Sequence, residues 1–307
     1  MSQSLKIATR KSKLALWQAE HVAALLRQSH PGLLVEIVPM TTQGDRIQDR
    51  SLAAIGGKGL FIKELEVAIE ERRADIAVHS MKDVPADLPP GFAIGTMLPR
   101  ADTRDALISN RHQSVDSLPQ NARVGTSSLR RQAQLLARRG DLKIEPLRGN
   151  VDTRLKRLDD GELDAIVLAS AGLIRLGWES RITERVPVTI CLPAVGQGAI
   201  GIECRAGDSM TLRLLEVLEH APTRVALTAE RSFSQTLGGS CQSPIAALAQ
   251  IEGGRLKLAG LVAEPDGSRI LRDVIEGETS EAASLGAALA RRMLAAGAGA
   301  LLERLRA

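Results

Sequence analysis

Aromatic residues are scarce in this 307-residue chain, which has two tryptophans, three phenylalanines and no tyrosine. Proteins that bind single-stranded nucleic acid usually stack bases on aromatic side chains, so the composition argues against that function. No apolar stretch approaches the roughly 20 residues that a membrane-spanning helix requires. The first residues contain no apolar signal region. We therefore expect a cytoplasmic protein without nucleic-acid or membrane partners.

Cysteine is equally scarce, with Cys191, Cys204 and Cys241 forming no CxxC pair. This odd number and spacing favour neither a zinc site nor a disulfide framework, and we predict no metal. Cys191 and Cys204 lie in apolar runs and should be buried and inert. Cys241 follows two glycines, which permit an exposed thiol, so it is the candidate nucleophile. An ordinary loop cysteine is the alternative.

The charge of the chain is modest overall but uneven. The formal net charge is +4, yet the segment 123–157 contains ten lysines and arginines against three acids. Such a local excess predicts an anionic ligand rather than a uniformly basic surface.

Short β-branched runs alternate with helical patterns, which predicts parallel sheets flanked by helices. Two series of such segments resemble each other: strands at 5–9, 34–41 and 75–80 with helices at 12–28 and 60–72, then strands at 122–125, 143–147 and 164–169 with helices at 128–139 and 152–158. We interpret them as two α/β lobes of similar design around a cleft, although strand–turn–helix units in general look alike.

The predicted domains follow from this pattern and from two polar crossings at 99–105 and 193–198. The first α/β lobe comprises residues 1–99 and 199–217, and the second comprises 104–193. Residues 221–307 read as a small α+β domain carrying Cys241, with strands at 245–251, 256–263 and 270–275. The glycine-rich segment 42–59, which includes Lys58, is long for a connection; it is either a lid or a plain surface loop.

Basic residues crowd the starts of three predicted helices, where the helix dipole normally favours acids. Arg10, Lys11 and Lys13 begin the first helix, Arg130 and Arg131 follow a Ser127-Ser128 cap, and Arg148 and Arg154 flank a third start. An anion bound at each place would explain the pattern. Arginine forks suit carboxylates, so we predict a polyanionic ligand in the cleft.

Lys82 and Asp83 follow the strand at 75–80 and should therefore face the same cleft. Asp83 is the sole acid that the pattern places among these bases. It either neutralises them or stabilises a cationic intermediate, and the composition does not decide between the two. His79, on the same strand, receives no role.

Seven stretches together resemble the porphobilinogen deaminase family, in the expected order over nearly the whole chain. They are residues 7–15 (IATRKSKLA), 57–61 (GKGLF), 77–85 (AVHSMKDVP), 125–131 (GTSSLRR), 148–154 (RGNVDTR), 196–198 (GQG) and 238–241 (GGSC). The resemblance implies two lobes like those of class II periplasmic binding proteins and a third domain. It also implies one dipyrromethane cofactor per chain, attached to Cys241 through a thioether.

The activity implied is the head-to-tail condensation of four porphobilinogen molecules, with release of ammonia. Asp83 would stabilise the cations that develop on pyrrole nitrogens. By resemblance, the cofactor is bound by Lys82, Asp83, Thr126, Ser127, Ser128, Arg130, Arg131, Arg154 and Cys241. The substrate is bound by Arg10, Ser12, Arg148, Arg154 and Arg175, and the lid includes Lys58 and Phe61.

The alternative from another functional class is a two-lobed anion-binding or effector-sensing protein without catalysis. The loop around Cys241 has no task in that interpretation. Self-contained domains favour a monomer.

Overall fold

The computed structural model describes residues 4–46, 59–239 and 243–304. They form two compact units, one of Met1–Ala101 with Ala199–Arg224 and one of Asp102–Gly198 with Val225–Ala307. The chain leaves the first unit after Ala101 and returns to it at Ala199, close to the predicted crossings at 99–105 and 193–198. The three-domain division stays a prediction.

The first unit is built on a five-stranded sheet in the order β2-β1-β3-β10-β4. The first three strands are parallel, and β10 runs antiparallel to both of its neighbours. The strands are β1 (Ser4–Arg10), β2 (Leu34–Met40), β3 (Ile76–Ser80), β4 (Phe92–Met97) and β10 (Ile200–Arg205).

Helices cover this sheet because each has one apolar face. Ala19, Val22 and Leu26 of the first helix are fully buried against Ile7 and Ile76. Ser12 caps this helix by accepting a hydrogen bond from the Ala15 amide. The helices are α1 (Lys13–Ser29), α2 (Gln43–Arg46), α3 (Lys63–Glu70) and α7 (Ser209–Glu216), with a 3₁₀ turn at Met81–Asp83.

The second unit contains a five-stranded sheet in the order β7-β6-β8-β5-β9. Its first three strands are parallel, and β5 runs antiparallel to both neighbours. The strands are β5 (Asp105–Ile108), β6 (Arg123–Gly125), β7 (Lys143–Glu145), β8 (Ala165–Ala169) and β9 (Glu184–Arg185). The helices are α4 (Leu129–Arg138), α5 (Val151–Asp159) and α6 (Ser170–Arg175), with a 3₁₀ turn at Glu179–Arg181.

The two sheets have the same topology, since β2, β1, β3, β10 and β4 correspond in order and direction to β7, β6, β8, β5 and β9. Their first helices also begin alike, with Ser12 capping α1 and Ser128 capping α4. The predicted pair of similar α/β lobes is therefore confirmed. The fold class is α/β, with two lobes of the same sheet topology and a small α+β part.

That α+β part belongs to the second unit. Three antiparallel strands form its sheet, with Phe233 and Leu289 buried beneath. Ala246 and Leu261 of the sheet pack with Ala133 of α4, so this part and the second lobe share a core. Its elements are α8 (Ala221–Thr236), β11 (Ile245–Glu252), β12 (Arg255–Ala263), β13 (Ile270–Glu278), α9 (Ala282–Met293) and α10 (Gly299–Arg304), with a 3₁₀ turn at Thr279–Glu281 and a π turn at Leu294–Ala298.

The expectation that no stretch has the length and apolarity of a membrane span is wrong. Within the described residues, the helical segment Thr279–Arg304 meets both criteria. However, Leu289, Met293 and Leu301 are buried in the core of the C-terminal part. Gly297 interrupts the segment with a φ of 101°. The segment packs as a core helix, which accounts for its apolarity.

Candidate functional site

The carboxyl ends of the parallel strands carry the predicted site residues in both units. In the first unit Arg10 ends β1, and Asp83 lies in the turn after β3. In the second, Thr126–Ser128 follow β6, Arg148 follows β7, and Arg175 ends the helix after β8. Ligands of open α/β sheets bind at this edge. Each unit therefore presents its own candidate site.

A small pocket with a cavity volume of about 60 Å³, partly open to solvent, lies at this edge of the first unit. It brings together Arg10, Ser12, Phe61 and Asp83, which the sequence predicted as site residues. It also contains Gln18 and His79, which were not predicted as such. The full lining is Arg10, Ser12, Leu14, Ala15, Gln18, Phe61, Ile62, Val78, His79, Ser80 and Asp83.

Arg10 is already paired with an internal carboxylate. Its Nε lies 3.1 Å from Oδ1 of Asp45, and its Nη2 also donates to that carboxylate. The guanidinium carbon lies 4.2 Å from the centre of the Phe61 ring, a cation–π contact. Burial alone would raise the pKa of Asp45, but the hydrogen bonds and charge of Arg10 hold it below its ordinary value. A substrate carboxylate would therefore share or replace Asp45 on this guanidinium.

Asp83 is differently placed. It is half-buried and lines the pocket. Among the described residues, no side chain or backbone amide donates a hydrogen bond to its carboxylate. A carboxylate that the fold does not engage is available to a cation in the pocket. Lys82 precedes it in the same 3₁₀ turn and is also half-buried.

The edge of the second unit is built on a buried cluster around Asp105. This carboxylate accepts hydrogen bonds from Nη1 of Arg130 (2.7 Å) and Nη2 of Arg131 (2.7 Å). Nε2 of Gln197 and the Cys191 thiol also donate to it. Burial would raise the pKa of Asp105, but the two guanidinium charges hold it far below its ordinary value.

Two buried guanidiniums share this one carboxylate, so the cluster of Asp105, Arg130 and Arg131 carries one excess positive charge. Nε of Arg130 is buried and has no hydrogen-bond partner among the described residues. Unbalanced buried charge and an unmet donor both cost free energy unless an anion is present. The cluster therefore fits a bound carboxylate.

Arg175 provides a second unbalanced charge in the same unit. Its Nη2 donates to the Gly198 carbonyl at 2.7 Å. Within the described chain, no acidic side chain is paired with it. Burial consequently lowers the pKa of Arg175 to about 10. A bound anion would stabilise the charged form of Arg175 and so raise its pKa again.

The turn after β7 positions two further arginines. Gly149 has a φ of +96°, and a Cβ atom there would lie 2.9 Å from Cγ2 of Thr153, so the tight turn requires glycine. Nε of Arg154 folds back onto the Gly149 carbonyl at 2.8 Å. Arg148, half-buried, makes no ion pair or hydrogen bond among the described residues. Its guanidinium is available to a ligand.

The hydroxyl residues between β6 and α4 hold the same edge together. The Ser127 hydroxyl donates to the Leu147 carbonyl and accepts from the Leu147 amide, which joins this turn to the one after β7. Thr126 accepts from the Ser128 amide, and Ser128 accepts from the Arg131 amide. These contacts are structural, and within the described residues neither the Thr126 nor the Ser128 hydroxyl donates a hydrogen bond.

Two expectations about charge need correction. Asp83 is not the sole acid among the bases, because Asp45 and Asp105 hold three of the predicted arginines. The basic excess of segment 123–157 is also largely neutralised, since at least seven of its ten bases pair with acids. Those bases are Arg123, Arg130, Arg131, Arg138, Arg139, Lys156 and Arg157.

The cysteine predictions separate into two groups. Cys191 and Cys204 are fully buried, as predicted, and burial raises the pKa of Cys191 to about 12 and that of Cys204 to about 11. Neither forms the reactive thiolate readily. Cys241 and Lys58 lie outside the described residues. No cluster of three or more potential metal ligands occurs in the described ranges 4–46, 59–239 and 243–304.

Two of the acids that the sequence analysis missed, Asp105 and Glu203, share one signal. Asp105 opens the buried strand β5, and Glu203, which contacts His79, interrupts the apolar strand β10. An acid within an apolar run is costly to bury, so its presence indicates a specific partner. Asp45 has no such signal, because it lies in a polar segment.

Several solved structures are similar to part of this chain. The methionine binding protein MetQ is 14% identical, covering 69% of this chain and 87% of that one, with a TM-score of 0.43. The periplasmic VFT2 domain of BvgS from Bordetella pertussis is 17% identical (69% and 85% covered, TM-score 0.42). A TRAP periplasmic solute binding protein from Desulfovibrio salexigens is 14% identical (71% and 73% covered, TM-score 0.42).

The fold and the strand ends define a two-lobed α/β protein with basic residues at the carboxyl ends of the strands in both lobes. Family models identify it further. The dipyromethane cofactor binding domain of porphobilinogen deaminase matches residues 5–213, and the C-terminal domain of porphobilinogen deaminase matches residues 225–295. The chain belongs to the porphobilinogen deaminase family. Its first matched domain is therefore a dipyrromethane-binding domain, and the family implies a transferase.

Proposed function

We propose that this chain is a hydroxymethylbilane synthase. It condenses four porphobilinogen molecules head to tail with loss of ammonia, and it then releases the linear tetrapyrrole by hydrolysis. The condensation starts on a dipyrromethane primer attached to Cys241 through a thioether. We also propose that the protein is cytoplasmic and monomeric, with residues 1–99 and 199–217, 104–193, and 221–307 as its domains.

The observation that carries this proposal is the unbalanced positive charge at the edge of the second unit. Porphobilinogen has an acetate and a propionate, so a growing chain of pyrroles gains two carboxylates with each unit. Such a polyanion suits the excess charge of Arg130 and Arg131 and the lowered pKa of Arg175. It also suits Arg148, which has no ion-pair partner in the part of the chain that the structure describes. A single small anion would not use all of them.

The primer fits the same residues. Its carboxylates would accept from Nε of Arg130, from Arg131 and Arg154, and from the Thr126 and Ser128 hydroxyls. Lys82 and Asp83 complete the set that we assign to it. When bound, the cofactor supplies the pyrrole α-carbon on which the chain is built. The contribution of the protein is to hold its charges and exclude competing anions.

In the first unit, Arg10 and Ser12 would bind the carboxylates of the incoming porphobilinogen. Asp83 faces the same pocket. Loss of ammonia from the aminomethyl group leaves an azafulvenium cation, whose positive charge is shared with the pyrrole nitrogen. The Asp83 carboxylate would stabilise this cation, and a preorganised partner of this kind contributes about 10²–10³-fold in rate.

The test is to incubate the purified protein with porphobilinogen and follow both products. We expect four ammonia molecules for each linear tetrapyrrole, which is detected by mass and by conversion to porphyrin. Binding of porphobilinogen without ammonia release would instead indicate a non-catalytic anion receptor and refute the proposal.

A further inference from the structure

A buried imidazole–carboxylate pair lies next to the pocket of the first unit. Nε2 of His79 on β3 is 2.8 Å from Oε2 of Glu203 on β10. The two side chains are 4% and 0% exposed. Both strands are central in the sheet, so the pair is held rigidly. The function proposed above uses neither residue.

The surroundings of the pair are acidic. Glu66 of α3 is nearly buried, and burial together with the Glu203 charge raises its pKa. Lys63 of the same helix and His79 act on Glu66 in the opposite direction. From the pocket side, the charged groups are Arg10 and Asp83. This combination concentrates negative charge around one imidazole.

The cluster is costly for the fold. Oε1 of Glu203 and Oε1 of Glu66 are buried without hydrogen-bond partners among the described residues. An unmet buried carboxylate oxygen costs free energy, and an apolar pair of similar size would avoid that cost. Buried titratable clusters beside a pocket are typical of sites that transfer protons.

The geometry leaves one ring nitrogen for chemistry. Nε2 of His79 donates to Glu203, so Nδ1 is the nitrogen that can accept a proton. Nδ1 has no hydrogen-bond partner in the described part of the chain, and His79 lines the pocket. A buried carboxylate on the far nitrogen fixes the tautomer and stabilises the imidazolium that forms, as in other carboxylate–histidine pairs.

We propose, on the basis of the function proposed above, that His79, oriented by Glu203, is the base that deprotonates the attacked pyrrole during elongation. The C–N bond of the incoming porphobilinogen ammonium breaks and releases ammonia. A C–C bond then forms between the resulting azafulvenium and the α-carbon of the last-added porphobilinogen unit. The proton of that carbon passes to Nδ1 of His79 and from there to ammonia, which leaves as ammonium. No other reactant is required.

The test compares His79→Gln with wild-type protein. The glutamine amide can still donate to Glu203 but cannot accept and return a proton. We expect kcat to fall by about 10²-fold or more, the contribution of a general base, with KM near the wild-type value. With porphobilinogen deuterated at its free α-carbon, the variant should show an isotope effect on kcat that is larger than in wild type.

Two further variants separate this role from a structural one. His30→Gln changes a histidine that bonds the Leu214 carbonyl away from the pocket, and it should keep wild-type kcat and isotope effect. Glu203→Gln should lower kcat less than His79→Gln. It should also move the rising limb of kcat against pH to lower pH, because the imidazolium loses its counter-charge. The intact mass of every variant should retain the primer.

The outcomes distinguish the two proposals. If wild-type protein makes no tetrapyrrole, the proposed function fails, and the role of His79 fails with it. If wild type is active but His79→Gln retains its kcat, or loses kcat without an isotope effect, the role of His79 alone is refuted. A shifted pH profile in Glu203→Gln supports the pair, and an unshifted profile contradicts it.

Discussion

The two lobes share a topology but differ in charge at equivalent strand ends. After β2 the first unit places Asp45, whereas after the corresponding β7 the second places Arg148. After β3 the first places Asp83, and after the corresponding β8 the second places Arg175. The first edge thus provides carboxylates beside its arginine, and the second provides arginines in excess of its carboxylates.

This contrast indicates a division of labour on one scaffold. An edge with a carboxylate that the fold leaves unengaged suits a cation, such as the one formed when porphobilinogen loses ammonia. An edge with surplus buried guanidinium suits a polyanion, such as a growing chain of pyrroles. In the proposed function, similar strand–turn–helix units would serve opposite electrostatic tasks, because a few residues after each strand differ.

The largest expected effect comes from removing the carboxylate that distinguishes the first edge. Asp83→Asn should lower turnover by at least ~10²-fold while the fold and bound primer persist, because the cation loses its preorganised partner. Steady-state kinetics and intact mass measure the two effects. Asp116→Asn, which removes an exposed acid paired with Arg138, is the control and should turn over normally. Near-normal turnover of Asp83→Asn would remove this residue from the mechanism.

Removing Arg175 should weaken the second edge. Arg175→Met should slow elongation by about 10- to 100-fold, the value of a hydrogen bond to a charged group. The free energy of unfolding should not fall, because the substitution removes a buried charge that has no acidic partner among the described residues. Denaturant unfolding and the abundance of enzyme–pyrrole adducts by mass are the measurements. Arg138→Met, which breaks an exposed pair, should leave elongation unchanged.

The lowered pKa of Arg175 adds a pH dependence to that comparison. Burial disfavours the charged form of Arg175 in the folded protein, so this charge lowers the free energy of unfolding at pH values below about 10. The penalty decreases as the pH rises above about 10 and Arg175 loses its proton in the folded state. The neutral form cannot bind a carboxylate, so elongation by wild type should decline over the same range. Arg175→Met should lack this component of the decline. A parallel decline in both proteins would show that Arg175 does not hold the chain.

Arg148 lies at the same edge and makes no ion pair or hydrogen bond among the described residues, so its substitution tests the edge with little structural disturbance. Arg148→Leu should change the distribution of partly extended enzyme–pyrrole adducts on native gels, with a thermal midpoint close to wild type. Lys143→Leu, an exposed residue of the neighbouring strand, is the control. Loss of stability with normal elongation would instead place Arg148 in a structural role.

The smallest effect should come from making the first edge resemble the second. Asp45→Asn leaves Arg10 without its carboxylate, so a substrate carboxylate would meet a net positive charge. KM for porphobilinogen should fall about 2- to 5-fold and become more sensitive to salt, the scale of a partly exposed ion pair. A rise in KM would show that Asp45 positions Arg10 and does not compete with substrate.

The sequence predicts the periodic parts of this molecule and not its long-range pairings. The strands and helices of both lobes follow from local patterns, and the Ser12 and Ser128 caps mark two helix starts. The strands β4, β5, β9 and β10 were not predicted, because they pair antiparallel and lie outside the parallel strand–helix series on which the prediction relied. The Asp105 cluster joins residues 25 or more positions apart, which no local window can show.

The candidate site was predictable in its residue types but not in its charge balance. The basic helix starts drew attention to Arg10, Arg130 and Arg131, whose role as site residues stays a prediction. However, Asp45 and Asp105, which pair with them, are distant in sequence. The pairing of His79 with Glu203 spans 124 positions and depends on β10 returning beside β3.

The covalent primer is the central claim, and the mass of the protein tests it most directly. A thioether, unlike a disulfide, survives reductant and denaturant. Reduced, denatured wild-type protein should therefore exceed its sequence mass by two linked pyrrole units, and peptide mapping should place the excess on Cys241 and not on Cys191 or Cys204. Cys241→Ser should lack the excess and be nearly inactive. An active wild-type preparation with unmodified mass would contradict the account.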